Sequence, residues 1–385
     1  MARPATQPYR GGYGRDHARG DRPLVRDLSL RIATDRSRRL HEGAGGGHNR
    51  WHPELEPVAR ARPGDELTFE LRDSRDRQLT RASSHRDLLL VEHTTHPLTG
   101  PVLVEGAKPG DVLEVDFLSY ATDDFGWTGI WPGSGFLGDL FHDPYLVRWE
   151  LAGGVARSDV LPGVAVPGAP FAGVVGVAPS RELFELIAAR EESLADAGAE
   201  LSLPSARGAA PPGAADGLRT IPPRENGGNL DVRDLVAGSR LLLPVWTPGA
   251  LLSIGDLHFA QGDGEVCISA IETGGEVTVR VGVRRGGWRP RFPAWEAPPR
   301  PGRRELATTG IPLADDGSNA HMDLNLATRR ALLEMLDWLV SERGLDREPA
   351  YALMSATVDV RVSEAVDLPN ALVSAVIPLD VFEDA

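Results

Sequence analysis

The densest group of side chains able to do chemistry lies in the middle of the chain. Asp256 and His258 are two residues apart and follow a strand-like run over 250–254, so in an extended chain they would face the same side. Asp263 and Glu265 follow with the same spacing in a glycine-rich segment. Carboxylate oxygens and imidazole nitrogens are ligands for zinc, and calcium is an alternative where oxygens dominate. A solvated polar hairpin would explain an Asp-x-His alone, but the neighbouring acids and upstream histidines favour a metal site.

Four further candidate site residues lie upstream of this segment, next to a predicted strand end, a proline or glycines. Asp73 follows a predicted strand, and His96 precedes a proline in a non-helical path that could aim its imidazole inward. His48 follows a glycine loop, and Trp127 lies in a Gly-Trp-Thr-Gly run whose rings could shape a pocket. The competing interpretation gives the histidines and tryptophans purely structural roles.

Another candidate segment, 226–231, precedes the central stretch. Its paired glycines stand between two asparagines and let the backbone approach a ligand closely. Asp231, at the end of this segment, could ligate a metal or orient a ligand. A Gly-Gly turn capped by asparagines is the alternative. Glu105 shares the segment of His96 and raises the odds that this histidine is functional.

The elements that must position these residues are predicted to be mostly strands. Pro-Gly-Asp turns at 63–65 and 109–111 each lead into alternating apolar residues, the pattern of a half-buried strand. One helix should begin after the cap Ser180, and another after 321–325, where apolar residues recur at helical spacing. Other predicted strands cover 28–32, 171–177, 250–254, 266–271, 278–283, 353–362 and 373–377. The predicted fold class is mainly β with a few helices.

Composition argues against several classes of function. A net charge of -14 argues against nucleic-acid binding, which needs basic patches. No apolar run approaches the ~20 residues that a membrane helix requires. Residues 1–27 are rich in Arg and Gly without an apolar core, which predicts a disordered leader and not a signal peptide. The single cysteine, Cys267, fits a reducing cytoplasm, and with the single lysine, Lys108, it argues against a Cys- or Lys-based amidase triad.

Four ordered motifs resemble the acetamidase/formamidase family. They lie at 48–53, 96–111, 224–229 and 255–265, and the resemblance covers roughly residues 28 to 380. Within the family, 225–229 and 126–129 resemble the formamidase branch. The resemblance implies a β-sandwich or barrel architecture, which we expect to form one domain over 28–385. The Ala/Pro/Gly-rich segment 203–218 is predicted to be a mobile loop within it.

The resemblance also implies a homo-oligomer that hydrolyses a short aliphatic amide, formamide first, with the help of a metal. Zinc would polarise the amide carbonyl and lower the pKa of its water from ~16 toward ~7. The predicted metal ligands are Asp73, His96, Asp256 and His258. Glu265 is predicted to be a further ligand or to move protons, with Glu105 and Asp231 as second choices. The predicted substrate contacts are Asn229, Gly228, His48 and Trp127.

Two alternatives stay open at this point. The first is an acetamidase or another small-amide hydrolase of the same family. The second is a non-catalytic β-scaffold, in which the same acids and histidines would form a closed structural metal site with four protein ligands.

Overall fold

Strands make up most of the regular structure. The computed structural model describes residues 29–43, 45–92, 95–135, 137–201, 207–297, 304–345, 347, 350, 358–379 and 382. Within these ranges there are 19 strands and two α-helices, with short 3-10 turns between them. The predicted leader at 1–27 lies outside the described residues. The mainly β fold with a few helices is confirmed, in the form of a curled, mostly antiparallel sheet that makes a half-barrel.

The strands follow one another along the whole described chain. In order they are β1 (Ser29–Ile32), β2 (Gly47–His48), β3 (Ala59–Ala61), β4 (Glu66–Leu71), β5 (Leu98–Val104), β6 (Val112–Ile130), β7 (Tyr145–Ala152), β8 (Val155–Arg157), β9 (Val166–Pro167), β10 (Phe171–Val177), β11 (Pro223–Arg224), β12 (Gly227–Asn229), β13 (Arg240–Pro244), β14 (Leu252–His258), β15 (Glu272–Arg284), β16 (Ala294–Glu296), β17 (Glu305–Gly310), β18 (Asp359–Glu364) and β19 (Leu372–Pro378). The helices are α1 (Arg181–Asp196) and α2 (Leu324–Arg343).

The longest strand, β6, organises the sheet. It pairs with β15 along most of its length, and β15 in turn pairs with β4 and β14. Leu67, Phe69 and Leu71 alternate with less buried residues along β4, as the Pro-Gly-Asp turn before them predicts, and they enter the main core. β6 has a buried part near each end, and its middle is more exposed.

The first predicted helix begins directly after Ser180, and the second begins at Leu324, inside the segment 321–325 that was expected to precede it. The Ser180 hydroxyl accepts a hydrogen bond of 3.1 Å from the Leu183 amide at the start of α1. Asp323 caps α2 in the same way, and Gly344, with φ of 65°, ends it. The apolar face of α2 packs on β17 and β19 in a second core. No helix among the described residues combines the length and the apolar character needed to cross a bilayer.

One strand prediction is wrong at the centre of the chain. Residues 266–271 form no strand, because 259–271 is an irregular loop in which Glu265 and Ile268 have φ of 43° and 68°. The next strand begins only at Glu272. The predicted strand over 353–362 falls partly outside the described residues, and its described part begins at Asp359. The predicted mobile loop is also only partly described, and its end at Leu218 is buried and bridged to Trp51.

Candidate metal centre

Four carboxylates surround the imidazole of His258. Its Nε2 atom lies 3.3 Å from Asp256 Oδ1, 3.4 Å from Glu272 Oε1 and 3.9 Å from Glu265 Oε1. Its Nδ1 atom lies 3.8 Å from Asp231 Oδ1. All five side chains are buried. We call these five residues the His258 cluster.

The sheet and two irregular segments bring the cluster together. His258 ends β14, and Glu272 is its direct partner across the antiparallel pair β14–β15. Asp231 follows β12, and Glu265 extends from the loop between β14 and β15. Asp231, Asp256 and Glu265 all have positive φ, between 43° and 58°. Such backbone conformations are uncommon for these residues and cluster at functional sites.

Gly173 on β10 leaves the space in which two of these carboxylates meet. A Cβ atom added there would overlap Asp231 Oδ1 and would lie 2.9 Å from Asp256 Oδ2. The Gly173 carbonyl also accepts a hydrogen bond of 3.2 Å from the Asp231 amide. Because this position has no side chain, β10 passes directly behind the cluster without filling it.

Several polar atoms of the cluster are buried without a hydrogen-bond partner. They are Asp231 Oδ1 and Oδ2, Asp256 Oδ1, His258 Nε2 and Glu272 Oε2. A buried polar group without a partner costs about 1–3 kcal/mol, and more when it is charged. Two sets of three groups have donor atoms within 4.8 Å of one another: Asp231, His258 and Glu265, and Asp256, His258 and Glu272. The residues present therefore fit a divalent cation held by carboxylates and one imidazole.

Burial and mutual repulsion disturb the protonation of the cluster. Burial, followed by the charges of neighbouring acids, raises the pKa of Asp231 and of Glu265 well above their ordinary values. Burial lowers the pKa of His258, but the charges of Glu272 and Asp256 outweigh it and raise that pKa well above 6.5. A cation that binds the cluster would therefore compete with protons for these groups.

The structure brings six of the predicted site residues to this region. Asp256, His258, Glu265 and Asp231 are in the cluster itself. His96 lies at its edge, with Nε2 3.7 Å from Asp256 Oδ2. Asp73 is buried and interacts electrostatically with Glu272, although its two oxygens accept hydrogen bonds from the backbone amides of Arg75 and Arg77. Burial raises the pKa of Asp73 to about 6.

The remaining predicted residues lie elsewhere or are already engaged. His96 precedes β5 and Glu105 follows it, so the two residues lie at opposite ends of this strand. The Glu105 side chain is 46% exposed and pairs with Arg62 at 3.0 Å. His48 uses both ring nitrogens within the fold, at 2.7 Å from Arg50 O and 2.7 Å from Ser253 Oγ.

The other three predicted substrate contacts support the fold. Trp127 is buried edge-on against Trp131. Gly228 pairs within the sheet with β10 and β11, and the Asn229 amide donates to Asp367. Their contact with a substrate stays a prediction.

Sequence reasoning missed three residues of this region. Glu272 is a full member of the cluster, and Gln261 orients His258 through a 2.9 Å contact between Oε1 and Nδ1. Arg75 is a partly buried guanidinium within electrostatic reach of the cluster. Glu272 was missed because it joins the cluster through the register of the β14–β15 pair, which places it opposite His258.

Comparison with known proteins is consistent with this geometry. A sequence model of the Acetamidase/Formamidase family matches residues 33–384. The chain is 34% identical to Formamidase of Methylophilus methylotrophus over 91% of this chain and 93% of the relative. It is 35% identical to Acetamidase of Mycolicibacterium smegmatis over 85% of this chain and 89% of the relative.

Solved structures of similar proteins share the fold of this chain. An acetamidase from Bacillus halodurans superposes with a TM-score of 0.71 at 27% identity, covering 92% of this chain and 99% of the other. A gamma lactamase from Delftia acidovorans superposes with a TM-score of 0.68 at 32% identity, covering 92% and 94%.

Proposed function

The chain belongs to the acetamidase/formamidase family, and we propose that it hydrolyses formamide to formate and ammonia. It is thus an amidohydrolase acting on the C–N bond of a linear amide. The observation that supports this proposal best is the His258 cluster, in which several buried polar atoms have no hydrogen-bond partner among the described residues. Atoms left unsatisfied in this way indicate a ligand and not a finished structural network.

We propose that a divalent cation, zinc first, is held by His258 and the carboxylates of Asp231, Asp256 and Glu272, with calcium as a second ion where oxygens dominate. Glu265 is either a further ligand or the group that moves protons. A bound cation would supply a Lewis acid for the amide carbonyl and would make water more acidic. His96 and Asp73 are proposed as outer groups that steer these ligands, because they lie at the edge of the cluster.

Glu265 is proposed to move the protons that the reaction requires. Amide hydrolysis removes a proton from water and must deliver one to the leaving nitrogen. Burial and the nearby charges of Glu272 and Asp367 raise the pKa of Glu265, so its carboxyl can hold a proton near neutral pH. Asp231 has the same property and is the second choice. Glu105 is too exposed and too far along β5 to share this role.

A larger amide is a second candidate substrate. A cavity of about 680 Å³ opens beside Glu265 and Gln261 and is walled by apolar side chains, including Trp149, Val166 and Ile271. Formamide needs only a small part of that volume. Similarity to the gamma lactamase makes a cyclic amide an alternative substrate. Similarity to the acetamidase favours acetamide, which is only slightly larger than formamide.

The test is ammonia release from formamide, acetamide and propionamide, with ring opening of a γ-lactam followed in parallel and metal content determined on the same sample. We expect fastest turnover of formamide by protein that contains stoichiometric zinc. Full activity in exhaustively demetallated protein would overturn the metal proposal. Metal without turnover of any of these amides would support a structural site. Glu265→Gln should abolish turnover while folding survives if the site is catalytic.

We also propose a cytoplasmic homo-oligomer. The single cysteine fits a reducing compartment. Leu89, Leu90, Leu140 and Phe141 are large apolar side chains that are each about half exposed or more, which favours a covered surface in an oligomer. Light scattering on the purified protein measures the number of subunits.

A further inference from the structure

Arg75 is held in a fixed orientation beside the His258 cluster. Its guanidinium lies 4.6 Å from the centre of the Trp131 ring, and Nη1 donates to the hydroxyl of Thr95. Its Nε atom is buried and has no hydrogen-bond partner. Stacking on an aromatic ring fixes the plane of a guanidinium and leaves its edge available to a ligand.

Arg219 is a second guanidinium in the same region. Its side chain is 7% exposed, and its Nε atom is also buried without a partner. Among the described residues, neither Arg75 nor Arg219 forms an ion pair with a carboxylate. The buried Arg72, Arg190 and Arg224 do form such pairs. The acids of the His258 cluster act electrostatically on Arg75. The charged neighbour that acts on Arg219 is Arg75, which repels it. Burying an unpaired charge is expensive, so the burial of Arg219 needs an explanation.

Both guanidinium groups act electrostatically on His96. Arg75 is bonded to Thr95, directly before His96, and Thr220, directly after Arg219, lies 3.3 Å from His96 Nδ1 through its hydroxyl. Burial lowers the pKa of His96 to about 4, and the charges of Arg75 and Arg219 act on it in the same direction. Arg75 also lowers the pKa of Arg219. The positive charges therefore lie close to each other and to one edge of the cluster.

We propose that Arg75 and Arg219 form a subsite for a carboxylate group at the His96 edge of the cluster. The donors match this ligand, because guanidinium groups bind carboxylates through paired, charge-assisted hydrogen bonds. A neutral amide would leave Arg219 without a counter-ion among the described residues. A protein with a net charge of -14 would repel anions elsewhere, so a local positive pair is what an anionic ligand requires here.

The favoured occupant is the carboxylate product of amide hydrolysis, and in this respect the inference rests on the proposed function. Hydrolysis turns a neutral amide into an anion, so the subsite acquires its counter-ion only after the C–N bond is broken. A carboxylate carried by the substrate itself is the other source of the same chemistry. Product retention predicts inhibition by short carboxylates, whereas a substrate carboxylate predicts a preference for acidic amides.

The experiment is a calorimetric titration of the metal-containing protein with sodium formate and sodium acetate, against sodium chloride at equal ionic strength. Arg75→Gln and Arg219→Gln should each weaken carboxylate binding by about tenfold or more, because each removes a charge-assisted hydrogen bond. Arg86→Gln is the matched control, since it removes the same charge from an exposed residue and should bind carboxylate as the wild type does. Arg75 is only partly buried, so its variant should fold even if the Arg219 variant does not.

The two sources of carboxylate are separated by kinetics. If the product occupies the subsite, the inhibition constant for formate should rise about tenfold in Arg75→Gln. If a substrate carboxylate occupies it, wild type should prefer succinamate to butyramide, and the variant should lose that preference.

Equal affinity for carboxylate and chloride, or unchanged affinity in Arg75→Gln, would overturn the inference. Because binding is measured without turnover, that result leaves the proposed amidase function intact. Arginine-dependent carboxylate binding in a protein that hydrolyses no amide would instead reject the function and keep the subsite.

Discussion

Two groups of buried charges lie close together in this protein and follow opposite rules. Between α1 and the segment 223–225, Arg190 binds Glu225 through two contacts of 2.6 and 2.9 Å, and Arg224 binds Glu191 at 2.7 Å. Each acid there has a base. In the His258 cluster, four acids surround one imidazole, and several of their oxygens have no partner. Matched buried charges hold a structure together, whereas unmatched ones indicate a site that needs a ligand.

The largest effect should come from removing one unmatched charge. Asp256→Asn removes an anionic donor beside His258 and should lower kcat/KM by about 10⁴-fold, the size of loss seen when an orienting carboxylate is replaced by its amide. Asp263→Asn is the control, because Asp263 lies in the same segment but pairs with Arg233 at 3.2 Å outside the cluster. Amide hydrolysis is measured for both variants. A loss of less than tenfold in Asp256→Asn would place the chemistry elsewhere.

Removing one matched charge should instead damage the fold. Glu225→Gln leaves Arg190 buried beside a neutral partner and should lower the free energy of unfolding by about 3–5 kcal/mol. Glu54 also pairs with an arginine of α1, Arg181, but on the surface, so Glu54→Gln should change stability by about 1 kcal/mol or less. Urea unfolding measures both. Equal losses in the two variants would remove the distinction between buried and exposed pairs.

His48 tests whether a buried, fully bonded group affects only stability. Burial lowers its pKa to about 4 from an ordinary 6.5, despite its bond to the Arg50 carbonyl. Because the unfolded chain takes up a proton that the folded chain does not, stability should fall as pH falls from about 6.5 to 4, by roughly 3 kcal/mol. His48→Gln should remove this contribution and leave the similar one of His96, whereas His142→Gln, at an exposed position, should leave the profile unchanged. Parallel pH profiles for wild type and His48→Gln would contradict the assignment.

The smallest effect should come from filling the space behind the cluster. Gly173→Ala places a methyl group against Asp231 and Asp256 and should weaken metal binding by about 10–100-fold, as changes in the surroundings of metal ligands do. Gly213→Ala is the control, because a Cβ there meets no atom within 4 Å. Metal competition titrations compare the two variants. Wild-type affinity in Gly173→Ala would show that the carboxylates meet the cation on another side.

Local patterns in the sequence were sufficient to predict much of the fold and part of the site. Alternating apolar residues predicted β4 and the start of β6, and the Ser180 cap predicted the start of α1, because these signals are contained in a few neighbouring residues. Asp256 and His258 were found in the same way, from their spacing on one strand.

What the sequence could not supply was contact between distant segments. Glu272 joins the cluster through the register of β14 with β15, and the mistaken strand over 266–271 concealed that register. Arg75 and Arg219 are 144 positions apart and meet only through the fold around His96. Glu105 and His96 share a segment, yet the seven residues of β5 separate them by roughly 23 Å of extended chain.

The long strand β6 has a consequence for anyone who redesigns this enzyme. Its first part belongs to the main core, and its last part carries Trp127 into a separate cluster with Leu88. Inserting or deleting one residue in its exposed middle would turn Trp127 to the opposite face. The middle of β6 therefore behaves as a spacer whose length, and not its composition, must be preserved.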